Sequence, residues 1–142
     1  LRLMKKYYGG KLWTMFSQGC PYKCTFCSND ILIDLDDDFR RFRHHSPEFF
    51  MAELRYILSR YPHIYNIVID DDAYMFLPVS LIREFAAKYK RDFDIPFFIS
   101  GVIPASVESS KFEALMGSGM IKLRIGIQSG NTRVMKEVFV RP

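Results

Sequence analysis

All three cysteines of this 142-residue chain fall within the stretch 19–29, GCPYKCTFCSN, at the spacing C-x3-C-x2-C. A loop that brings Cys20, Cys24 and Cys27 together needs a rigid frame to present it, and Gly19 and Pro21 supply the turn at its start. Three thiolates this close can converge on one metal centre. On a four-iron cube they would occupy three irons and leave the last open to another ligand. Two blander readings stand beside this one: a disulfide with a spare thiol, and a zinc knuckle short of one ligand. An odd cysteine count speaks against a secreted disulfide scaffold. A closed zinc site needs a fourth donor, and none of His44, His45 and His63 lies at finger spacing from the cysteines. Cysteine confined to one cluster also points to a reducing cytosol.

Around that loop the chain reads as β-loop-α repeated about four times. Residues 11–18, with Leu12, Trp13, Met15 and Phe16, form a short apolar run that fits a buried strand delivering the cysteine loop at its carboxyl end. Beyond the loop, Ile31, Leu32 and Ile33 lead to Asp34, Asp36, Asp37 and Asp38 and then to Arg40, Arg41 and Arg43. Such mixed charge reads as a solvated excursion, and a calcium loop would need a glycine at its turn that is missing here. Ser46-Pro47-Glu48 starts a helix with a capping serine, proline at the first helical position and an acid in the first turn. Its face Phe50, Leu54, Ile57, Leu58 and Tyr61 repeats at helical spacing until Pro62.

The second strand is expected over 64–69, apolar and β-branched, ending abruptly in Asp70-Asp71-Asp72. A helix over 80–90 would bury Leu81, Ile82, Phe85 and Tyr89, and a strand over 97–100 is closed by Gly101. A third helix follows Ser106 with Val107, Phe112, Leu115 and Met116 inward. A fourth strand over 122–128 ends in Ser129-Gly130, and Asn131 caps a helix presenting Val134, Met135 and Val138. This alternation predicts an α/β fold with a parallel sheet and right-handed crossovers, a single domain over 1–142. A closed barrel of eight such units takes about 250 residues, so the chain supplies roughly half of one.

C-x3-C-x2-C with an aromatic, Phe26, just before the last cysteine resembles the signature of the radical S-adenosylmethionine (radical SAM) enzymes. The resemblance implies a partial (β/α) barrel of six units, of which this chain would cover the first four, truncated. It implies a [4Fe-4S] cluster on Cys20, Cys24 and Cys27, whose open iron is chelated by SAM, and reductive cleavage of SAM to a 5′-deoxyadenosyl radical. Asp70, Asp71 and Asp72 stand where many members have a Gly-Gly-Glu stretch that receives the methionine amino group. Gln128, Ser129 and Gly130 resemble the pattern on the fourth strand that faces the ribose or methionine side of SAM. Ser100 at the third strand end and Phe26 beside the cluster are further SAM contacts that the resemblance implies.

The acidic run is most like the branch of the family associated with a cobalamin-binding domain. That branch implies a parent that is a cobalamin-dependent methyltransferase or oxidative cyclase. A methylthiotransferase, whose fourth strand also reads Gln-Ser-Gly, is the runner-up. From another class, an iron-sulfur electron-transfer or binding module would use the same three cysteines without radical chemistry. The chain begins at Leu1 and stops at Arg141-Pro142 directly after a helical pattern, and the expectation is the amino-terminal part of a core cut from something longer. The expected partners are a small-molecule or cofactor-precursor substrate and an electron donor such as flavodoxin or ferredoxin. Self-association through an exposed sheet edge is a further expectation.

Composition narrows the rest. Half the residues are hydrophobic (49%) and a quarter charged (25%), ordinary material for one globular core. A formal charge of +4, with Lys and Arg mixed among acids, leaves no nucleic-acid footprint. No apolar run approaches the roughly 20 residues of a membrane span, so no membrane partner and a cytoplasmic location are expected. Lys23 in the cysteine loop, His44 and His45 read as solvated residues.

Overall fold

The computed structural model describes residues 9–36 and 41–141. Asp37, Asp38 and Arg40 of the charged excursion lie outside the described residues. Four strands build one parallel sheet: β1 (Lys11–Thr14), β4 (Asn66–Ile69), β5 (Phe97–Val102) and β6 (Met120–Ile125), in the order β1-β4-β5-β6. A two-residue pair, β2 (Ser17–Gln18) with β3 (Arg43–His44), lies apart and is antiparallel. The helices are α1 (Ser28–Leu35), α2 (Pro47–Arg60), α3 (Val79–Asp92) and α4 (Ser109–Gly117). Each crossover from one parallel strand to the next carries helix, as parallel pairing requires. The expected α/β architecture of four βα steps is therefore the one observed, consistent with a partial radical SAM βα fold.

Local chemistry accounts for most boundaries. Ser46 caps α2, its hydroxyl accepting from the Phe49 N–H at 3.2 Å, with Pro47 at the first helical position and Glu48 against the positive end of the dipole. Lys90 and Arg91 sit in the last turn of α3, where cations complement the carbonyl end. Strand alternation splits the sheet into two faces. Ile67, Ile69, Phe97 and Ile99 point to the helices, where they meet Phe50, Leu54, Phe85 and Tyr89 in the main core. Burying each such side chain contributes about 1.5–3 kcal/mol. The rings interlock edge to face: Phe16 with Phe50 at 5.2 Å and with Phe85 at 5.4 Å, and Phe85 with Phe97 at 5.8 Å. The opposite face carries Trp13, Val68, Phe98 and Lys122, the Lys122 ammonium lying 5.5 Å from the centre of the Phe98 ring.

Several elements depart from the sequence expectation. The first strand breaks after Thr14 and resumes at Ser17, because a buried carboxylate takes the Phe16 and Ser17 N–H groups out of the ladder. The fourth strand stops at Ile125 rather than 128. The expected helix after Asn131 runs over residues 132–138, but Val134–Val138 form it as a π turn; the Asn131 side chain caps it, accepting from the N–H groups of Arg133 and Val134. In α4, Phe112 and Met116 are exposed and Lys111 is buried instead, its ammonium held by the Met75 carbonyl at 2.8 Å and by Glu108 at 2.7 Å. Residues 28–35 form a helix where only an apolar run leading to charge was expected.

Candidate functional site

Parallel strands in register set all their carboxyl ends on one edge. Thr14 pairs with Ile69, Ile69 with Ile99, and Ile99 with Leu123. The cysteine loop, the three aspartates, Ser100-Gly101 and residues 126–130 therefore leave the sheet side by side. Between them opens a cleft of about 340 Å³, at the small end of the range for ligand sites. Cys20, Cys24, Cys27, Phe26, Asp72 and Gln128 line it, all expected from sequence. Arg124, Arg141, Asn29 and Gly101 line it as well.

The aspartates do three different jobs. Asp70 accepts from the Ser100 hydroxyl and from Arg124, whose Nη2 lies 3.2 Å away. Asp71 is buried, with Oδ1 accepting from the Phe16 N–H at 2.8 Å and Oδ2 from the Ser17 N–H at 2.8 Å and the Ser17 hydroxyl at 2.5 Å. Burial pushes its carboxyl up to about 6, against the pull of those three donors and with a small addition from Asp72. Asp72 alone lines the cleft, accepting from the Gly19 N–H at 2.9 Å and from the Asn29 amide at 3.1 Å. Ser100 is fully buried behind Asp70. The Ser129 hydroxyl accepts from the Asn131 N–H at 3.1 Å, within its own turn. Asp70, Asp71, Ser100 and Ser129 thus do not line the cleft, and Asp72 and Gln128 do.

Cys20 and Cys24 are buried and Cys27 is partly so. Burial raises the Cys20 thiol above its ordinary value; a Tyr22 N–H opposes the rise, while Cys24, Asp72 and Cys27 add to it. Ligation of a metal there would release a proton. Among the described residues no three His, Cys, Asp or Glu side chains converge closely enough to share one ion, which a tetrahedral zinc with sulfurs at about 2.3 Å demands. The three thiols are spread around one cleft, and a [4Fe-4S] cluster takes one thiolate per iron. The donor set, all soft sulfur, and its placement fit the cluster.

Three polar residues of the wall, Arg124, Arg141 and Asn29, carried no sequence signal. Arg141 is 7% exposed, donates through Nη1 to Gln128 Oε1, and has an Nε with no partner among the described residues. Its guanidinium carbon lies 5.7 Å from the centre of the Phe26 ring. Gln128 (φ 58°) and Val140 (φ 48°) adopt the left-handed conformation that side chains avoid, Val140 most of all. Both flank the Gln128–Arg141 contact, so local strain is spent on presenting that pair to the cleft. Asn29 follows the last cysteine closely, and only the fold shows that its amide reaches Asp72. Thr25 ties the loop to the far turn, its hydroxyl donating to the Val138 carbonyl at 2.7 Å and its N–H to Phe139 at 3.2 Å, while Phe26 packs on Phe139 at 5.1 Å.

Among the described residues no helix is long and apolar enough to cross a membrane. The chain matches no curated protein. Residues 14–141 match the family described as the Radical SAM superfamily, a span that runs from the end of β1 through Arg141. With the cysteine triad on the cleft and the match covering almost all of the chain, it belongs to the radical SAM superfamily, whose members generally use a [4Fe-4S] cluster and SAM.

Proposed function

We propose that this chain holds the cluster and SAM for a radical SAM enzyme, with Cys20, Cys24 and Cys27 as the ligands. The observation that carries the reading is the meeting of three thiols with an acceptor, Asp72, an amide, Gln128, and a buried cation, Arg141, on one cleft. When bound, the cluster supplies one electron that cleaves SAM to a 5′-deoxyadenosyl radical. The chain's own residues bind, orient and exclude water. Arg141, with a buried Nε that has no partner among the described residues, suits the SAM carboxylate, and its contact with Gln128 holds the guanidinium in place. Asp72 offers an acceptor to the ammonium and Gln128 one to the ribose. Asp70, which Ser100 steadies, acts on SAM through the cleft residue Arg124 that it holds. Phe26, 46% exposed, shields the cluster side of the cleft.

The experiment is anaerobic reconstitution with iron and sulfide, then electron paramagnetic resonance of the reduced chain with and without SAM. A reduced-cluster signal that shifts on adding SAM is expected. A signal indifferent to SAM would replace this reading with the electron-transfer module. For the reaction, the acidic run in place of Gly-Gly-Glu supports a cobalamin-associated methyltransferase or oxidative cyclase, acting on a small-molecule or cofactor-precursor substrate. Gln128-Ser129-Gly130 supports the methylthiotransferase alternative. The one-electron donor is of flavodoxin or ferredoxin type, and cysteine confined to one cluster supports a cytoplasmic location.

A second copy of the chain is the proposed partner at the sheet edge. β6 is the last strand of its sheet and exposes Ile121 (66%) and Ile125 (41%), an arrangement open to edge pairing. Sedimentation is expected to show dimer growing with concentration, and a clean monomer throughout would sink the idea.

A further inference from the structure

We propose that Asp72 is a positioning residue that clamps both ends of the cysteine loop. Its Oδ2 accepts from the N–H of Gly19, the residue before Cys20, and its Oδ1 from the side chain of Asn29, just beyond Cys27 in the first turn of α1. One carboxylate therefore brackets all three cysteines. Gly19 has φ +94°, a left-handed turn that aims its N–H at the carboxylate.

The other duty open to a strand-end aspartate is to cap the turn that follows, and Asp72 makes no such cap. The turn Tyr74–Phe76 starts from Ala73 with no side-chain cap. The clamp also stands on a rigid base. Asp71 next door is locked to Phe16 and Ser17, and Gly101 packs so tightly beneath that an added Cβ would lie 1.8 Å from the Asp71 carbonyl oxygen and 3.1 Å from the Asp72 carbonyl carbon. Cys20 and Ala73 share a small buried cluster with Ile103, so the loop is seated on the same turn that bears the carboxylate. Hydrogen bonds to an ionised acceptor are among the stronger ones. Those at Asp72 spend that strength on the geometry of the thiols.

The test is the pair Asp72→Ala and Asp72→Asn. Alanine removes both acceptors, so both ends of the loop are released. Asparagine keeps a carbonyl for Gly19 and turns its NH2 to Asn29, which accepts by reversing its own amide. In the metal-free chain, hydrogen exchange at the Gly19 amide is expected to quicken about tenfold in Asp72→Ala and to return to within about threefold in Asp72→Asn. In the reconstituted chain, iron extraction by a chelator, measured without SAM, is expected to follow the same order. Unchanged Gly19 exchange in Asp72→Ala, or no recovery in Asp72→Asn, would overturn the clamp. So would an Asp72→Ala chain that keeps its iron and its Gly19 protection and loses only the response to SAM, since that outcome marks a ligand contact alone. Should Asp72→Ala not fold, Asn29→Ala takes its place, and wild-type iron extraction there would equally overturn the proposal. The inference rests on the cluster reading only for its second readout. A wild-type chain that takes up no iron defeats that reading, while exchange at Gly19 still decides the clamp.

Discussion

Gly101→Ala is expected to remove most of the stability of this chain, on the order of 4 kcal/mol or more. Gly101, the next-to-last residue of β5, has φ +70°, and the Cβ of an alanine would fall 1.8 Å from the Asp71 carbonyl oxygen and 2.9 Å from its carbon. These are backbone atoms, and no rotamer relieves them. Nor can the aspartate turn retreat, because the Asp71 carboxylate grips Phe16 and Ser17 and the Asp70 N–H donates to the Thr14 carbonyl at the end of β1, at 2.9 Å. Denaturant unfolding of the variant beside Gly117→Ala makes the comparison clean. Gly117 closes α4 with nothing within 4 Å of an added Cβ, so alanine there should be neutral or gain a few tenths of a kcal/mol. A Gly101→Ala chain as stable as wild type to within about 0.5 kcal/mol would refute the tight strand-end packing.

The second large effect belongs to Asp71. In Asp71→Asn, the carboxamide oxygen can keep the Phe16 N–H, but the NH2 then faces the Ser17 N–H, leaving a buried donor opposed by a donor. A loss of about 2–3 kcal/mol is expected. The wild-type carboxyl also sets a pH dependence. Its folded value of about 6 lies above the ordinary 3.8, so between those values the folded chain holds a proton that the unfolded chain has released. The stability this contributes is fully present below about pH 4, falls as pH rises towards 6, and is flat beyond. Two units of difference set an upper figure of about 3 kcal/mol. Subtracting the Asp71→Asn profile from the wild-type one isolates the contribution, and a flat difference between pH 4 and 7 would refute the raised value. Tyr74 serves as a companion. Its hydroxyl is fully buried beside Asp71 with no partner among the described residues, and Tyr74→Phe should raise stability by about 1 kcal/mol.

Much of the frame could be read from residues in order. Alternating apolar runs and amphipathic segments specify a parallel sheet, and Ser46-Pro47-Glu48 marks a helix start because its chemistry is local. The cysteine triad reveals its own convergence. The details that sequence hid depend on partners far along the chain. Breaking β1 needs Asp71, more than fifty residues away by number but adjacent across the sheet. The end of β6 needs the left-handed turn at Gln128, and that turn is held by Arg141. Lys111 reads as surface on any hydropathy pattern, yet the Met75 carbonyl and Glu108 make its burial affordable. Three consecutive aspartates look like one acidic patch, and only the sheet edge shows that each serves a different wall.

The Thr25–Val138 bond joins residues 113 apart in sequence, between the first loop and the last turn. Closing so long a loop is entropically slow and draws its reward only after the intervening strands have paired. The cysteine loop is thus made early by a growing chain and sealed late. Between those moments the thiols wait in a half-built frame, and the same bond is the natural first point of opening when the finished domain breathes.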